Sequence, residues 1–139
     1  MQIVHGPVNQ TIDLDWWLEA GMVDFVPAAT SYASGPSPEP GRLVERIAIG
    51  DVEPLVRRLS HGVFNDNDEI GTARHRVVEI LRGFKVGRAI PPVLVDRLEE
   101  PERFVYRLRD GAHRFYCSVA AGFTHVPAII YEPAEWKRT

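Results

Sequence analysis

The stretch that decides the reading is Tyr106 to Glu132, YRLRDGAHRFYCSVAAGFTHVPAIIYE. Phe104, Tyr106 and Leu108 alternate with polar residues and predict a strand. Asp110-Gly111 predicts a tight turn, Ala112 to Ala121 a helix, and Gly122 its C-terminal stop. Val126 to Tyr131 is apolar and short enough for a buried strand. A glycine turn thus stands between a strand and a helix. The first N–H groups of a helix lack intrahelical acceptors and carry a partial positive charge, so they hold an anion without any side chain. Gly111 has no Cβ, which lets an oxygen approach the backbone closely. Arg114 adds a planar fork of donors suited to phosphate. His113 adds a donor that changes protonation near neutral pH. Asp110, Gly111, Ala112, His113 and Arg114 are together the parts of a small phosphate cradle. The same residues also suit a plain Asp-Gly turn with Arg114 paired to a nearby carboxylate, and spacing alone leaves both readings open.

Working back from that turn, Glu99 to Glu102 is a charged hairpin connection, and Val93-Leu94-Val95 is a strand introduced by Pro91-Pro92. The acidic turn from Phe64 to Glu69 predicts the cap of an amphipathic helix. Ile70, Ala73, Val77, Ile80 and Leu81 share one face of it, and Gly83 or Gly87 stops it. Glu45 to Ile49 alternates as a strand. Asp51 then predicts the cap of a helix with Val52, Leu55, Val56 and Leu59 on one face, ended by Ser60-His61-Gly62. Ser31 to Gly41, with three prolines and two glycines, predicts a loop. Before it, Ile12 to Ala20 reads as a short helix capped by Thr11 or Asp13, and Ile3-Val4 as a short strand leading into Gly6-Pro7. The organisation expected is an extension with its loop over residues 1–42 and one α/β (α+β) domain over 43–139.

Composition narrows the function classes. The chain has 139 residues, 45% hydrophobic and 25% charged, which is a globular balance. A net charge of -3 gives no general pull toward nucleic acid or anionic lipid, so any phosphate site must be local. One cysteine, Cys117, excludes an intramolecular disulfide and a cysteine-built metal site. No apolar run reaches membrane-spanning length and the N-terminus lacks the pattern of a secretory leader, so the expected place is the cytoplasm, with no membrane partner.

The turn resembles the signature of the ParB/sulfiredoxin superfamily, a Gly-x-x-Arg turn after a strand. Its form here, Asp110-Gly111-Ala112-His113-Arg114, is similar to the Asp-Gly-x-His-Arg version of the ParB-like free serine kinases. Gly87-Arg88-Ala89-Ile90-Pro91-Pro92-Val93 resembles the family's Gly-x3-Pro-x-Val box. Ile47 to Leu59, with Asp51 and Pro54, resembles its opening strand, Asp-x-x-Pro, helix unit. The three boxes stand in the family's order across Glu45 to Tyr131. The resemblance implies a compact domain with a small mixed sheet flanked by helices. It also implies that the turn binds the phosphates of CTP or ATP/ADP, usually with magnesium, and that a small hydroxyl compound could be the phosphate acceptor. Departures are equally specific. Eight residues follow Tyr131, so no helix-turn-helix reader and no sequence-specific DNA binding are expected. Ala112 stands where sulfiredoxins carry their cysteine. The serine kinases' proposed base follows the proline, but here Pro54 is followed by Leu55-Val56, which leaves Glu53 as the nearest carboxylate.

Glu53 and His113 are therefore the candidate catalytic groups, Glu53 as general base or as an ordinary helix-start acid. The metal ligands are unassigned. Asp66, Asp68 and Glu69 offer oxygens for magnesium or simply cap a helix. His75 and Glu79 lie one helical turn apart. Trp16 and Trp17 suggest one ring on the core and one toward a partner, or both structural. Arg82, Lys85, Arg88, Arg103, Arg107 and Arg109 predict a basic surface near the turn. The leading expectation is nucleotide phosphate binding, with hydrolysis or small-molecule phosphorylation as the reaction. The alternative is a non-catalytic protein- or nucleic-acid-interaction module that keeps the fold, and a nuclease comes third.

Overall fold

A computed structural model describes residues 2–5, 8–54 and 72–136. Strands β1 (Gln2–His5) and β2 (Val8–Thr11) pair antiparallel, Gln2 opposite Thr11. Helix α1 (Leu14–Glu19) follows, with the Asp13 carboxylate accepting from the Asp15 N–H at 3.0 Å. The main sheet contains β3 (Glu45–Ala48), β4 (Val52–Glu53), β5 (Val93–Arg97), β6 (Tyr106–Asp110) and β7 (His125–Tyr131). Their order is β3-β7-β5-β6-β4, antiparallel for β3–β7 and β5–β6, parallel for β7–β5 and β6–β4. Helices α2 (Thr72–Val86), α3 (Ala112–Ala121) and α4 (Pro133–Trp136) complete an α+β fold with a mixed sheet, as the sequence predicts.

The pattern of burial explains the placement of the helices. In α2, Val77, Val78, Leu81 and Phe84 recur at helical spacing and are buried. In α3, Phe115, Tyr116, Cys117, Ser118 and Ala121 are buried, and α3 lies against β5, β7 and α2. Trp16 and Trp17 both enter the core, so neither ring is offered to a partner. Ile12, Trp16, Trp17, Met22 and Tyr32 belong to the same apolar cluster as Val93, Val95, Phe115 and Val126. Residues 12–34 therefore share one core with the rest of the fold.

Two readings of the sequence need correction. The helix expected from Asp51 does not begin there: Ile49–Asp51 is a 3-10 turn, and Val52–Glu53 is a strand paired parallel with Tyr106–Arg107. Pro54 supplies the reason, since the residue before a proline is pushed out of the helical region into extended backbone. The remainder of that helix, together with His61, Asp66, Asp68 and Glu69, lies outside the described residues. The loop from Ser31 to Gly41 also does more than connect. Ile90 donates its N–H to Ala33 O at 2.9 Å, Gly35 donates to Ile90 O at 3.1 Å, and the Tyr32 hydroxyl donates to Pro91 O at 2.6 Å. Gly83 does not stop α2, which runs on to Gly87 at φ +74°.

Candidate functional site

Strand β6 ends at Asp110 and α3 begins at Ala112, with Gly111 between them at φ +98°, ψ 32°. That left-handed conformation favours glycine, and contacts add a second reason for it. A Cβ at Gly111 would sit 2.9 Å from Val93 Cγ1 and from Arg114 Nη2, and 3.1 Å from Arg114 Nε. The Arg114 guanidinium thus folds back over the glycine. The N-cap position of α3 is Gly111, which has no side chain to offer as a cap. Ser118 donates its hydroxyl to Arg114 O at 2.8 Å and fixes the first turn from below.

Arg114 bears on both readings of the turn, since it forms a loose ion pair with Asp110. Its Nη2 stands 3.7 Å from the Asp110 carboxylate, beyond hydrogen-bond range, and that carboxylate is 70% exposed. Its Nε is buried and has no acceptor among the described residues. A buried donor left unmade costs about 1–3 kcal/mol. Beneath the site lies Tyr32, whose phenol is pushed above its ordinary pKa by burial, against a smaller opposing effect of the Arg114 charge.

The turn faces a cleft of about 630 Å³. Asp110, Gly111, Ala112, His113 and Arg114 all line it, so all five predicted binding residues come together. His75, Arg76, Glu79 and Ile80 of α2 and Arg109 of β6 line it too, and Ile90, Pro91 and Leu108 give it apolar surface. Of the α2 lining, the sequence singles out His75 and Glu79 by their spacing, and of the apolar lining the Ile90-Pro91 box; Arg76, Ile80 and Leu108 carry no such signal as site residues.

Glu53 is not brought to this cleft. Its carboxylate accepts from Arg107 Nε at 2.8 Å. Neither Glu53 nor Arg107 is among the residues that line the cleft. The predicted basic surface is largely neutralised: Arg82 and Arg88 contact Glu79, Arg107 contacts Glu53, and Arg109 donates to Asp96 at 2.9 Å. Glu79 is held by those two arginines rather than by His75. Among the described residues no three His, Cys, Asp or Glu side chains converge as a metal site. A magnesium ion accompanying a nucleotide would therefore be held chiefly by phosphate oxygens, with Asp110 and Glu79 as the carboxylates on the cleft wall.

Cys117 is fully buried, and burial raises its thiol well above the ordinary pKa. No helix among the described residues is long and apolar enough to cross a membrane. No family model matches the chain, and no curated protein matches it.

Proposed function

We propose that this chain binds the phosphates of a nucleotide, CTP or ATP/ADP, in the cleft under the Gly111 turn. The observation that carries this reading is the buried Nε of Arg114, without an acceptor among the described residues, at a helix start whose N-cap is glycine. An anion seated there receives backbone N–H groups, the helix dipole and a guanidinium together. The cleft volume is in the range of small-ligand sites, and Ile80, Ile90 and Leu108 offer apolar surface for a nucleoside ring. The resemblance to the ParB/sulfiredoxin superfamily favours a nucleotide over a simple oxyanion, and its usual companion is magnesium.

For a reaction, the cleft itself offers two imidazoles, His113 on the turn and His75 on α2, as groups able to carry a proton during phosphoryl transfer or hydrolysis. The pairing of Glu53 with Arg107 away from the cleft supports a second reading, in which the nucleotide is bound without turnover. That module reading is better served by nucleotide or protein contact than by nucleic acid, because four of the six predicted basic residues are already paired with carboxylates.

The test is calorimetric titration of CTP, ATP and ADP, each with and without magnesium, into wild type and Arg114→Ala. The variant should lose about 1.5–3 kcal/mol of binding, the range for a charge-assisted hydrogen bond, while its far-ultraviolet circular dichroism stays unchanged. Equal affinity in a folded Arg114→Ala protein would end the phosphate role.

A further inference from the structure

We propose that Arg76 of α2 is a second phosphate-contacting residue, so that the cleft selects ligands with two or more linked phosphates over those with one. This rests on the phosphate reading of the Gly111 turn and extends it to the α2 lining of the same cleft. Three arginines line the cleft: Arg76, Arg109 and Arg114. Arg109 is committed to Asp96 at 2.9 Å, and Arg114 faces Asp110 at 3.7 Å. Arg76 is exposed and has no carboxylate within ion-pair distance among the described residues. The nearest cleft carboxylate in sequence is Glu79, and it is held by Arg82 at 2.8 Å and Arg88 at 3.4 Å.

An exposed arginine is ordinarily just solvated. Arg76 differs because it lines the same cleft as the cradle and comes from a different element, α2. The cleft volume of about 630 Å³ is roughly that of twenty waters in the liquid, far more than a single phosphate fills. One phosphate seated on the turn would leave the α2 wall facing water. A diphosphate or triphosphate has the length and the additional charge to meet it, and a guanidinium binds such oxygens through a planar fork. His75, beside Arg76 on the same wall, adds a donor of the same polarity.

Arg74 provides an internal control. It lies two residues away on α2, is not part of the cleft lining, and is paired with Glu19 at 2.7 Å. The experiment titrates inorganic phosphate, pyrophosphate and tripolyphosphate into wild type, Arg76→Gln, Arg74→Gln and Arg114→Ala. Wild type should bind pyrophosphate about tenfold more tightly than phosphate. Arg76→Gln should remove that preference while changing phosphate affinity less than about twofold. Arg74→Gln should keep the preference, and Arg114→Ala should weaken all three ligands. A preference that survives Arg76→Gln, or no preference in wild type, overturns the role of Arg76 while Arg114-dependent phosphate binding still stands. No binding of any of the three ligands by wild type overturns both.

Discussion

Replacing Gly111 with alanine should damage both stability and the site, and the size of the effect follows from two separable causes. The first is backbone: an L-residue in the left-handed region costs about 1–2 kcal/mol. The second is contact. The new Cβ would fall 2.9 Å from Val93 Cγ1, and Val93 is fully buried in the centre of the sheet. Extra volume forced into a packed core costs about 1–3 kcal/mol, so the total is about 2–5 kcal/mol. Gly122, at the other end of the same helix, isolates the first cause. It has φ +92°, but its nearest neighbour would be Pro27 Cγ at 3.5 Å, an ordinary contact. Gly122→Ala should therefore cost only about 1–2 kcal/mol. For a chain of this size each kcal/mol lowers Tm by roughly 3–5 °C, so thermal denaturation resolves the two variants. Gly111→Ala should also displace the Arg114 guanidinium and weaken phosphate binding, whereas Gly122→Ala should leave binding intact. If the two variants melt together and bind alike, the packing of Arg114 and Val93 over Gly111 is not what constrains this turn.

Further tests are simpler. Glu53→Gln should leave nucleotide affinity within about twofold of wild type, because the carboxylate is paired with Arg107 and neither residue lines the cleft; a much larger loss would put Glu53 at the ligand. Cys117 should resist Ellman's reagent at pH 8 in the folded protein and react on denaturation, since burial suppresses its thiolate; prompt reaction in native buffer would place it outside the core. The carboxyl of Glu39 is held below its usual pKa by the Tyr131 hydroxyl and then by Arg42, and that of Glu135 chiefly by Arg42. Folded values below unfolded ones mean that this stabilisation is present above the ordinary glutamate pKa and is lost as pH falls through the lowered values. Tm should accordingly drop below pH of about 4, and the drop should be smaller in Arg42→Gln; an identical acid profile in that variant would remove the network from the account.

The legible parts of the fold were those where local chemistry and tertiary context agree. The segment from Tyr106 to Gly122 reads correctly because alternation, a left-handed glycine and a second left-handed glycine each demand one conformation. Val93 to Val95 and Val126 to Tyr131 read as strands for the same reason. Val52 misleads because apolar residues three and four apart mimic a helix face, while Pro54 holds Glu53 in extended backbone. The partner strand β2 has little apolar content (Val8, Asn9, Gln10, Thr11), so only its pairing to β1 defines it. Within the site, the turn residues were visible as a contiguous motif. Arg76 and Leu108 were not, because they reach the cleft from separate elements and carry no local signature. Ion pairs across the sheet, such as Arg107 with Glu53, are equally silent in sequence, which is why a paired surface read as a basic one.

The strand order has a consequence for the route by which the chain folds. Strand β3, at residues 45–48, has one neighbour in the sheet, β7 at residues 125–131. During synthesis β3 emerges long before that neighbour exists, and the intervening β5 also lacks one of its two flanking strands until β7 arrives. Closing contacts so far apart in sequence is slow, because the loop entropy is lost before the pairing rewards it. A nascent chain that has not yet released residues 125–131 thus exposes an unpaired strand edge to other chains. Local structure such as the α3 helix can form early, but the sheet that frames the Gly111 turn is completed last.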